Sequence, residues 1–386
     1  MPGYELINNK EYEEISQLFK KSKTLFRMGF ENQRKGIFKV REFEKLFAKK
    51  MRSKYSLAVT SGTAALRVAL SSLNLKPGDE IITQSFTFVA TVEAIVESKA
   101  VPVCSEIDKT LNMDPEDLIK KITKKTKAVI VVHMLGVPCR IKEIKEICKK
   151  HKLILIEDTA WGCGGKLNKK YLGTIGDIGA YSFDFAKTIT TGEGGMLLFK
   201  SKKKYELAKA WHDHGHENNP KFPRWEDTRK SSGFNFRMTE MQGAVGIAQL
   251  KKLDLIIKKQ NINHDKIWRE IKSIPDVEKR LYPHNSKISA DALIFFLKSK
   301  KMAINCRKEL LKNKISTKIL PEAYTWHFAN EWSHIKELKI KHPKLKKSFK
   351  KSKLLLERAV SIPILIKMNS QFPKIVRSSI LKSIKF

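Results

Sequence analysis

Between residues 57 and 199 the chain alternates two patterns. Short, mostly apolar runs rich in β-branched residues are followed by longer stretches in which apolar side chains return every three or four positions. The first pattern marks strands and the second amphipathic helices. Strands are expected at 57–59, 80–83, 101–104, 128–133, 153–157, 180–183 and 196–199, and helices at 63–73, 91–98, 115–122 and 141–150. Asp114 followed by Pro115 is a strong start signal, a capping side chain before a residue whose fixed φ suits the first turn. Strand–helix alternation over about 140 residues predicts a mostly parallel sheet with helices on both faces. Sheets of that kind place their ligands at the carboxyl ends of the strands.

The flanks read differently. Residues 1–56 are polar and mostly helical, with helical spacing over 41–51 and an apolar patch at Phe26, Met28 and Phe30 that suits a cover for a site or a partner. From Met238 to about Ile274 runs a long helical pattern, expected to be kinked. After it come an expected strand near 293–297, a helix over 302–313, a second strand near 315–320 and helical tail segments. The fold class is therefore α/β. A large domain with a mostly parallel sheet, 1–253 with its N-terminal segment, precedes a linking helix and a smaller C-terminal α/β domain, 254–386. There are no internal repeats and no low-complexity linker.

Composition narrows the function. A chain of 386 residues, 41% hydrophobic, can bury a large core. It has no apolar run long enough to span a membrane and no signal-peptide pattern at its start, so no membrane insertion is expected. Five cysteines, an odd number without a Cys-x-x-Cys pair, favour free thiols in the reducing cytoplasm. The net charge of +36 raises the question of nucleic acid. The lysines are spread through most segments, arginine is scarce beside them, and no nucleic-acid motif is present. The charge is read as a solvated lysine-rich surface that can draw in acidic substrates, not as a nucleic-acid interface.

The candidate chemistry lies at strand ends. The stretch Ser182–Gly195 carries a single basic residue, Lys187, between two expected strands. Limited access to water favours its neutral amine, which can add to a carbonyl; a solvated loop lysine is the plainer alternative. Ser61, Gly62, Thr63 and Ala64 close the first strand and open a helix. Backbone N–H groups, a hydroxyl and the positive helix end meet there, as a phosphate dianion requires, although a simple helix cap uses the same residues. Asp158 ends an apolar strand at the carboxyl edge, where a carboxylate can pair with a protonated ring nitrogen or simply close a turn. In this order, phosphate cradle, edge aspartate and sheltered lysine match the needs of pyridoxal 5′-phosphate. Phe86 and Phe88 offer an aromatic to cover the ring.

The motifs Ser-Gly-Thr-Ala-Ala-Leu (61–66), Pro-Gly-Asp-Glu-Ile-Ile (77–82), Thr-Phe-Val-Ala-Thr (87–91), Ile-Glu-Asp (156–158), Thr-Gly-Glu-Gly-Gly (191–195) and Gly-Phe-Asn-Phe-Arg-Met-Thr-Glu (233–240) occur in one order. On them the chain resembles the DegT/StrS family of sugar aminotransferases, members of the fold-type I pyridoxal-phosphate superfamily. The resemblance implies that Lys187 holds the cofactor aldehyde and shuttles the substrate proton. It implies that Asp158 binds the pyridine nitrogen and Phe88 stacks on the ring. Gly62, Thr63, Ala64 and Ser182 would hold the phosphate. Asn235 would reach the phosphate of a neighbouring subunit, giving a homodimer with shared sites. His214 and Arg237 fall in family motifs as candidate substrate contacts.

One departure stands out. Where the family has glutamine or histidine facing the cofactor's phenolic oxygen, this chain has Trp161, whose indole donates but cannot accept; it either donates there or packs against Cys163. The histidines of 211–216 are read as a loop near the site entrance and not as a metal centre. The reaction implied is transfer of an amino group from L-glutamate to a keto or aldehydo sugar. The opening Met-Pro-Gly-Tyr-Glu-Leu, residues 26–30 and 212–216, Trp326-His327 and 366–368 look most like 8-amino-3,8-dideoxy-octulosonate transaminases of lipopolysaccharide biosynthesis. A nucleotide-diphosphate keto-sugar is the alternative acceptor. A non-catalytic regulator or basic nucleic-acid-binding protein on the same fold is the alternative of another class.

Overall fold

The structure, a computed structural model, describes residues 2–384 except Pro220 and Lys230. Seven strands form the central sheet: Tyr55–Val59 (β1), Glu80–Gln84 (β2), Val101–Ser105 (β3), Thr126–Val132 (β4), Ile154–Asp158 (β5), Ile178–Ser182 (β6) and Gly195–Phe199 (β7). Their order across the sheet is β1-β7-β6-β5-β4-β2-β3. β2 to β6 pair in parallel, while β7 runs antiparallel to both β6 and β1. Each expected strand is present, with boundaries moved by two residues or fewer, and the mostly parallel sheet of the α/β reading is observed.

The side-chain alternation explains why both faces are covered. Leu57, Val59, Ile81, Ile130, Ile156, Ala180 and Leu197 are buried against the helix Gly62–Ser71 (α1) and its neighbours. The intervening positions point to the opposite face. There Ala58, Tyr181, Met196 and Leu198 meet Phe43, Phe47 and Leu253, while Ile82, Val129, Val131 and Leu155 meet Ile141 and Ile144. Successive residues of a strand face opposite ways, so apolar runs without a polar face require two covering layers.

The long helical pattern is one helix, Glu240–Ile271 (α2), of 32 residues without an interruption. Thr239 caps it, with Gln242 closing a reciprocal capping box. Its first half buries Ile247, Leu250 and Leu253 in the core of the central sheet, and its end carries Ile267 and Ile271 into a second core. That second core is built on a three-stranded antiparallel sheet of Glu278–Lys279, Ala292–Phe296 and Ala359–Pro363, flanked by the helices Lys300–Lys312 and Phe372–Ile384.

Two expectations for this region fail. Residues 315–320 form no strand, and Ala359–Pro363, read as part of a helical tail, is one. At 319 the backbone has φ +78°, which turns the chain out of the extended conformation that the β-branched Ile315, Thr317 and Ile319 favour. The true strand is separated by only two residues from the helix Lys350–Leu356, with no glycine or proline between them to mark the change of period.

Beneath the carboxyl edge lies a buried latch. Glu157, fully buried, is 2.9 Å from His133 Nε2 and accepts the N–H groups of Gly173 (2.8 Å), Ile175 (2.6 Å) and Gly176 (2.5 Å). Burial pushes its carboxyl up, but His133 and these N–H groups outweigh burial and hold it below the ordinary carboxylate range. The stability this contributes is therefore present above the unfolded value of about 4.3 and lost as pH falls through the lower folded value. Glu157→Gln is expected to lower unfolding stability at pH 7 by about 2–4 kcal/mol. In urea titrations the difference from wild type should shrink in acid; an unchanged midpoint at pH 7 would remove the latch from the fold's support.

Candidate active site

The antiparallel turn of β7 sets the position of the candidate lysine. Ser182 ends β6 opposite Gly195, which starts β7 and also faces Val59 at the end of β1. Residues 183–194 must therefore loop out at the carboxyl edge, the edge at which β1, β4, β5 and β6 deliver Ser61, His133, Asp158 and Ser182. The loop closes on itself through Phe183 N–H to Gly194 O (2.8 Å) and Thr191 N–H to Phe183 O (2.9 Å). Gly3 N–H donates to Lys187 O (3.1 Å), so the N-terminal turn grips the backbone of the lysine itself.

Lys187 Nζ stands 3.5 Å from the centroid of the Trp161 ring. Loss of water around the amine, with the charge of Lys318 adding to it, lowers its pKa to about 8 against the opposing pull of Asp291, Asp184 and Asp158. At that value about a tenth of the population is neutral at pH 7, far more than for a free lysine, and this is the form that adds to a carbonyl.

Asp158 is 6% exposed and accepts from Ala160 N–H (3.1 Å) and Thr91 Oγ1 (3.2 Å). Burial raises its pKa despite these bonds and the charge of Lys187. Such a carboxylate is short of a cation, and a protonated ring nitrogen would supply one.

Ser61 caps α1 by accepting from Ala64 N–H (3.0 Å). The N–H groups of Gly62 and Thr63 meet no acceptor among the described residues. A Cβ on Gly62 would stand 2.7 Å from Ser182 Cβ, so only glycine lets the helix start approach the end of β6. The result is a cradle of free N–H groups, a helix N-terminus and two hydroxyl residues. Cradle, amine and acid are the three fixtures pyridoxal phosphate needs, and the residues present fit it.

Phe88 is half-buried, its ring 5.4 Å from His327 and 5.8 Å from Trp326. The backbone bonds Thr87 N–H to His327 O (3.0 Å) and Val89 N–H to Trp326 O (2.9 Å) tie these segments together. Burial, with the Lys187 charge adding to it, lowers the pKa of His327 to about 4 against a bond to Ala323 O, leaving the ring neutral. Trp161 belongs to the cluster of Phe86, Val132 and Phe328, whereas Cys163 belongs to the cluster on the Phe43 side of the sheet.

Asn235 lies on the surface, accepting from Arg237 N–H (3.2 Å). The Arg237 guanidinium is paired with Asp213, which also binds Arg224 (2.5 Å). His214 is exposed at φ +54°. Its neighbours hold the loop: His212 bonds Lys209 O, and His216 Nδ1 is 3.2 Å from Asp227.

Sequence reasoning missed Thr91, Gly3, Asp291 and Lys318. Lys318 Nζ lies 2.6 Å from Asp291 Oδ1 and 4.9 Å from the Trp161 ring centroid. Only the tertiary fold brings these residues from 291 and 318 onto an indole at 161. No local pattern carries that signal.

Residues 31–380 match the model of the DegT/DnrJ/EryC1/StrS aminotransferase family. The chain is 41% identical over 217 residues to a GDP-perosamine synthase of Vibrio cholerae, covering 56% of this chain and 58% of that one. It is 34% identical over 347 residues to the uncharacterized protein MJ1066 of Methanocaldococcus jannaschii, covering 86% of each. The match thus spans less than two thirds of the perosamine synthase. Among solved structures, an aminotransferase from Psychrobacter cryohalolentis superposes with a TM-score of 0.84 at 26% identity, covering 98% of this chain and 97% of that one. A GDP-4-keto-6-deoxymannose-3-dehydratase with a trapped PLP-glutamate geminal diamine superposes at 0.82 and 24% identity, covering 97% and 98%, and shares the fold.

The lowered lysine pKa sets a pH dependence. Capture of added pyridoxal phosphate by the cofactor-free protein, followed by visible absorbance, should speed up as pH rises, with a midpoint near the value of about 8. A midpoint near that of free lysine, about 10.4, would show an amine in open water.

Proposed function

Because the chain belongs to the DegT/DnrJ/EryC1/StrS aminotransferase family, we propose that it is a pyridoxal-phosphate-dependent sugar aminotransferase moving an amino group from L-glutamate to a keto or aldehydo sugar. The observation that carries this reading is the convergence of the Lys187 amine, the Asp158 carboxylate and the α1 cradle at one sheet edge. When bound, pyridoxal phosphate supplies the electron withdrawal that makes a proton on the amino-bearing carbon acidic.

The chain's own residues do the rest. Asp158 keeps the pyridine nitrogen protonated. Gly62, Thr63 and Ser182 anchor the phosphate, while the Ala64 N–H, expected to join them, is taken by Ser61 Oγ (3.0 Å); Phe88 covers the ring. Lys187 Nζ takes the proton from the substrate carbon and returns it, and its neutral fraction near pH 8 suits both directions. Trp161 beneath the amine and His327 beside Phe88 keep water from that proton.

The acceptor in this reading is an acidic octulosonate oxidised at its end carbon, which the motifs at 26–30, 212–216 and 326–327 support. A nucleotide-diphosphate keto-sugar is the second reading, supported by the identity to GDP-perosamine synthases. The working unit is a homodimer, with Asn235 of each chain completing the other's phosphate site; its exposure in the single chain supports this.

Purified protein loaded with pyridoxal phosphate should lose its yellow absorbance on addition of L-glutamate, and Lys187→Ala should abolish the change. A panel of acceptors then restores the colour: 8-oxo-octulosonate in the first reading, GDP-4-keto-sugars in the second. Failure of every sugar alongside return by 2-oxoglutarate would make the enzyme an aminotransferase of another substrate class.

Shared sites make a separate prediction. Mixing inactive Lys187→Ala and Asn235→Ala chains should recover roughly a quarter of wild-type activity, because a mixed dimer has one intact site. No recovery after confirmed subunit exchange would place each site within one chain.

A further inference from the structure

Nothing assigned so far uses Lys318. Its backbone is clamped to the second core, its N–H donating to Ser361 O (2.9 Å) and its carbonyl accepting the Ser361 hydroxyl. The next residue, Ile319, is held at φ +78°, a strained conformation for a β-branched side chain. Strain of this kind persists where the surroundings over-determine the chain, and it gathers at ligand sites.

The ammonium is placed with equal care. Asp291, 2% exposed, holds it at 2.6 Å, and the side chain of Lys318 is itself only 13% exposed. The same indole carries both amines, Lys187 at 3.5 Å and Lys318 at 4.9 Å from the ring centroid. A lysine ammonium has three donors. One goes to Asp291, and the other two meet no protein acceptor among the described residues. Asp291 Oδ2 is buried without a donor. An enclosed ion pair is by itself a weak source of stability. With unfilled donors and an unfilled acceptor beside the reacting amine, it is instead built to meet something else.

Resting on the aminotransferase reading, we propose that Lys318, oriented by Asp291, binds the carboxylate that sits on the reacting carbon of the amino-acid donor. Three features select that anion. The cofactor phosphate is accounted for at the α1 cradle. Lys187 Nζ marks where the substrate nitrogen arrives, and in an α-amino acid the carboxylate is on the carbon that bears this nitrogen. A nucleotide-sugar diphosphate is separated from a ring carbonyl by the sugar itself, too remote for a cation standing on the same indole as Lys187. Fixed from the second core, Lys318 orients the donor so that its α-proton faces Lys187, which makes it a positioning residue for proton transfer as well as a contact.

The test uses cofactor-loaded protein and two probes titrated by absorbance and by calorimetry. α-Methyl-L-glutamate has the carboxylate but no α-proton to lose; 4-aminobutyrate is glutamate without that carboxylate. Lys318→Met should weaken α-methyl-L-glutamate roughly 10- to 100-fold, the loss of a charge-assisted contact. Its affinity for 4-aminobutyrate should stay within about twofold, and Lys318→Arg should restore most of the loss. Equal weakening of both probes, or of neither, overturns the assignment. So does a loss confined to the sugar acceptor, which would give Lys318 to an anion on the sugar, and so does a shift in the Lys187 pH midpoint with unchanged affinities. Wild-type protein that never takes up the cofactor colour would defeat the aminotransferase reading. Protein that colours and responds to glutamate with the same concentration dependence with or without Lys318 would defeat this inference alone.

Discussion

The site depends on one reversal of direction. β7 enters the central sheet antiparallel between β6 and β1, both of which point the other way. A parallel neighbour would have needed a crossover returning to the opposite edge before the next strand began. The antiparallel step instead keeps residues 183–194 at the carboxyl edge, so Lys187 has nowhere else to emerge. The parallel strands that precede it place Asp158 and Ser182 at that edge by the same rule. Ladder pairings thus set the relative positions of acid, amine and cradle before any side chain contact is made.

Electrostatics at this edge run against the character of the surface. The chain carries +36 overall, yet the amine at its centre is driven towards neutrality. The overall charge is not the main cause: loss of water is the largest influence on Lys187, and Lys318 is the one cation among its leading perturbers that adds to it. Asp158 is pushed the opposite way by the same loss of water. Burial thus shifts both the acid and the amine towards their neutral forms, and a cofactor ring with a protonated nitrogen would supply the cation that Asp158 lacks. The latch below differs because Glu157 is saturated with donors and holds its charge without help. Saturated, it supports β5; Asp158, one residue on, accepts from Ala160 N–H and Thr91 Oγ1 and makes no ion pair among the described residues.

Legibility in the sequence followed the range of the interactions. The central sheet was readable because each strand is a dense apolar run bounded by helix signals, and Lys187, Asp158 and Ser61–Ala64 lie at run ends that local pattern marks. The second core was read less well. Its strand Ala359–Pro363 follows the helix Lys350–Leu356 without a turn signal, and Ile319 turns a β-branched run out of the extended conformation. Lys318 and Asp291 were invisible for a different reason. Among so many lysines, one more carries no signal, and only the packing of the second core against Trp161 distinguishes it. Arg237 was legible as a motif residue, but its pairing with Asp213, some twenty residues earlier, was not.

The first turn of the chain, ahead of the apolar patch at 26–30, acts as a support. Glu5 accepts the N–H groups of Ile366 (3.0 Å) and Lys367 (3.0 Å), and Lys252 of α2 donates to Leu6 O (2.7 Å). Between them Gly3 bonds Lys187 O, and a Cβ there would stand 2.9 Å from that oxygen and 3.0 Å from Thr190 N. A handful of residues thus joins the reactive loop, the long helix and the segment leaving the second core. The lysine's own N–H is held within the loop by Asp184 O (3.0 Å), so the Gly3 bond ties its backbone to a segment outside the loop. In the aminotransferase reading this loop would present an amine away from water and let it move between cofactor and substrate carbon, which calls for a fixed backbone and a free side chain. The glycine supplies the first, because a residue with a Cβ could not come this close to the backbone of Lys187, Ile189 and Thr190.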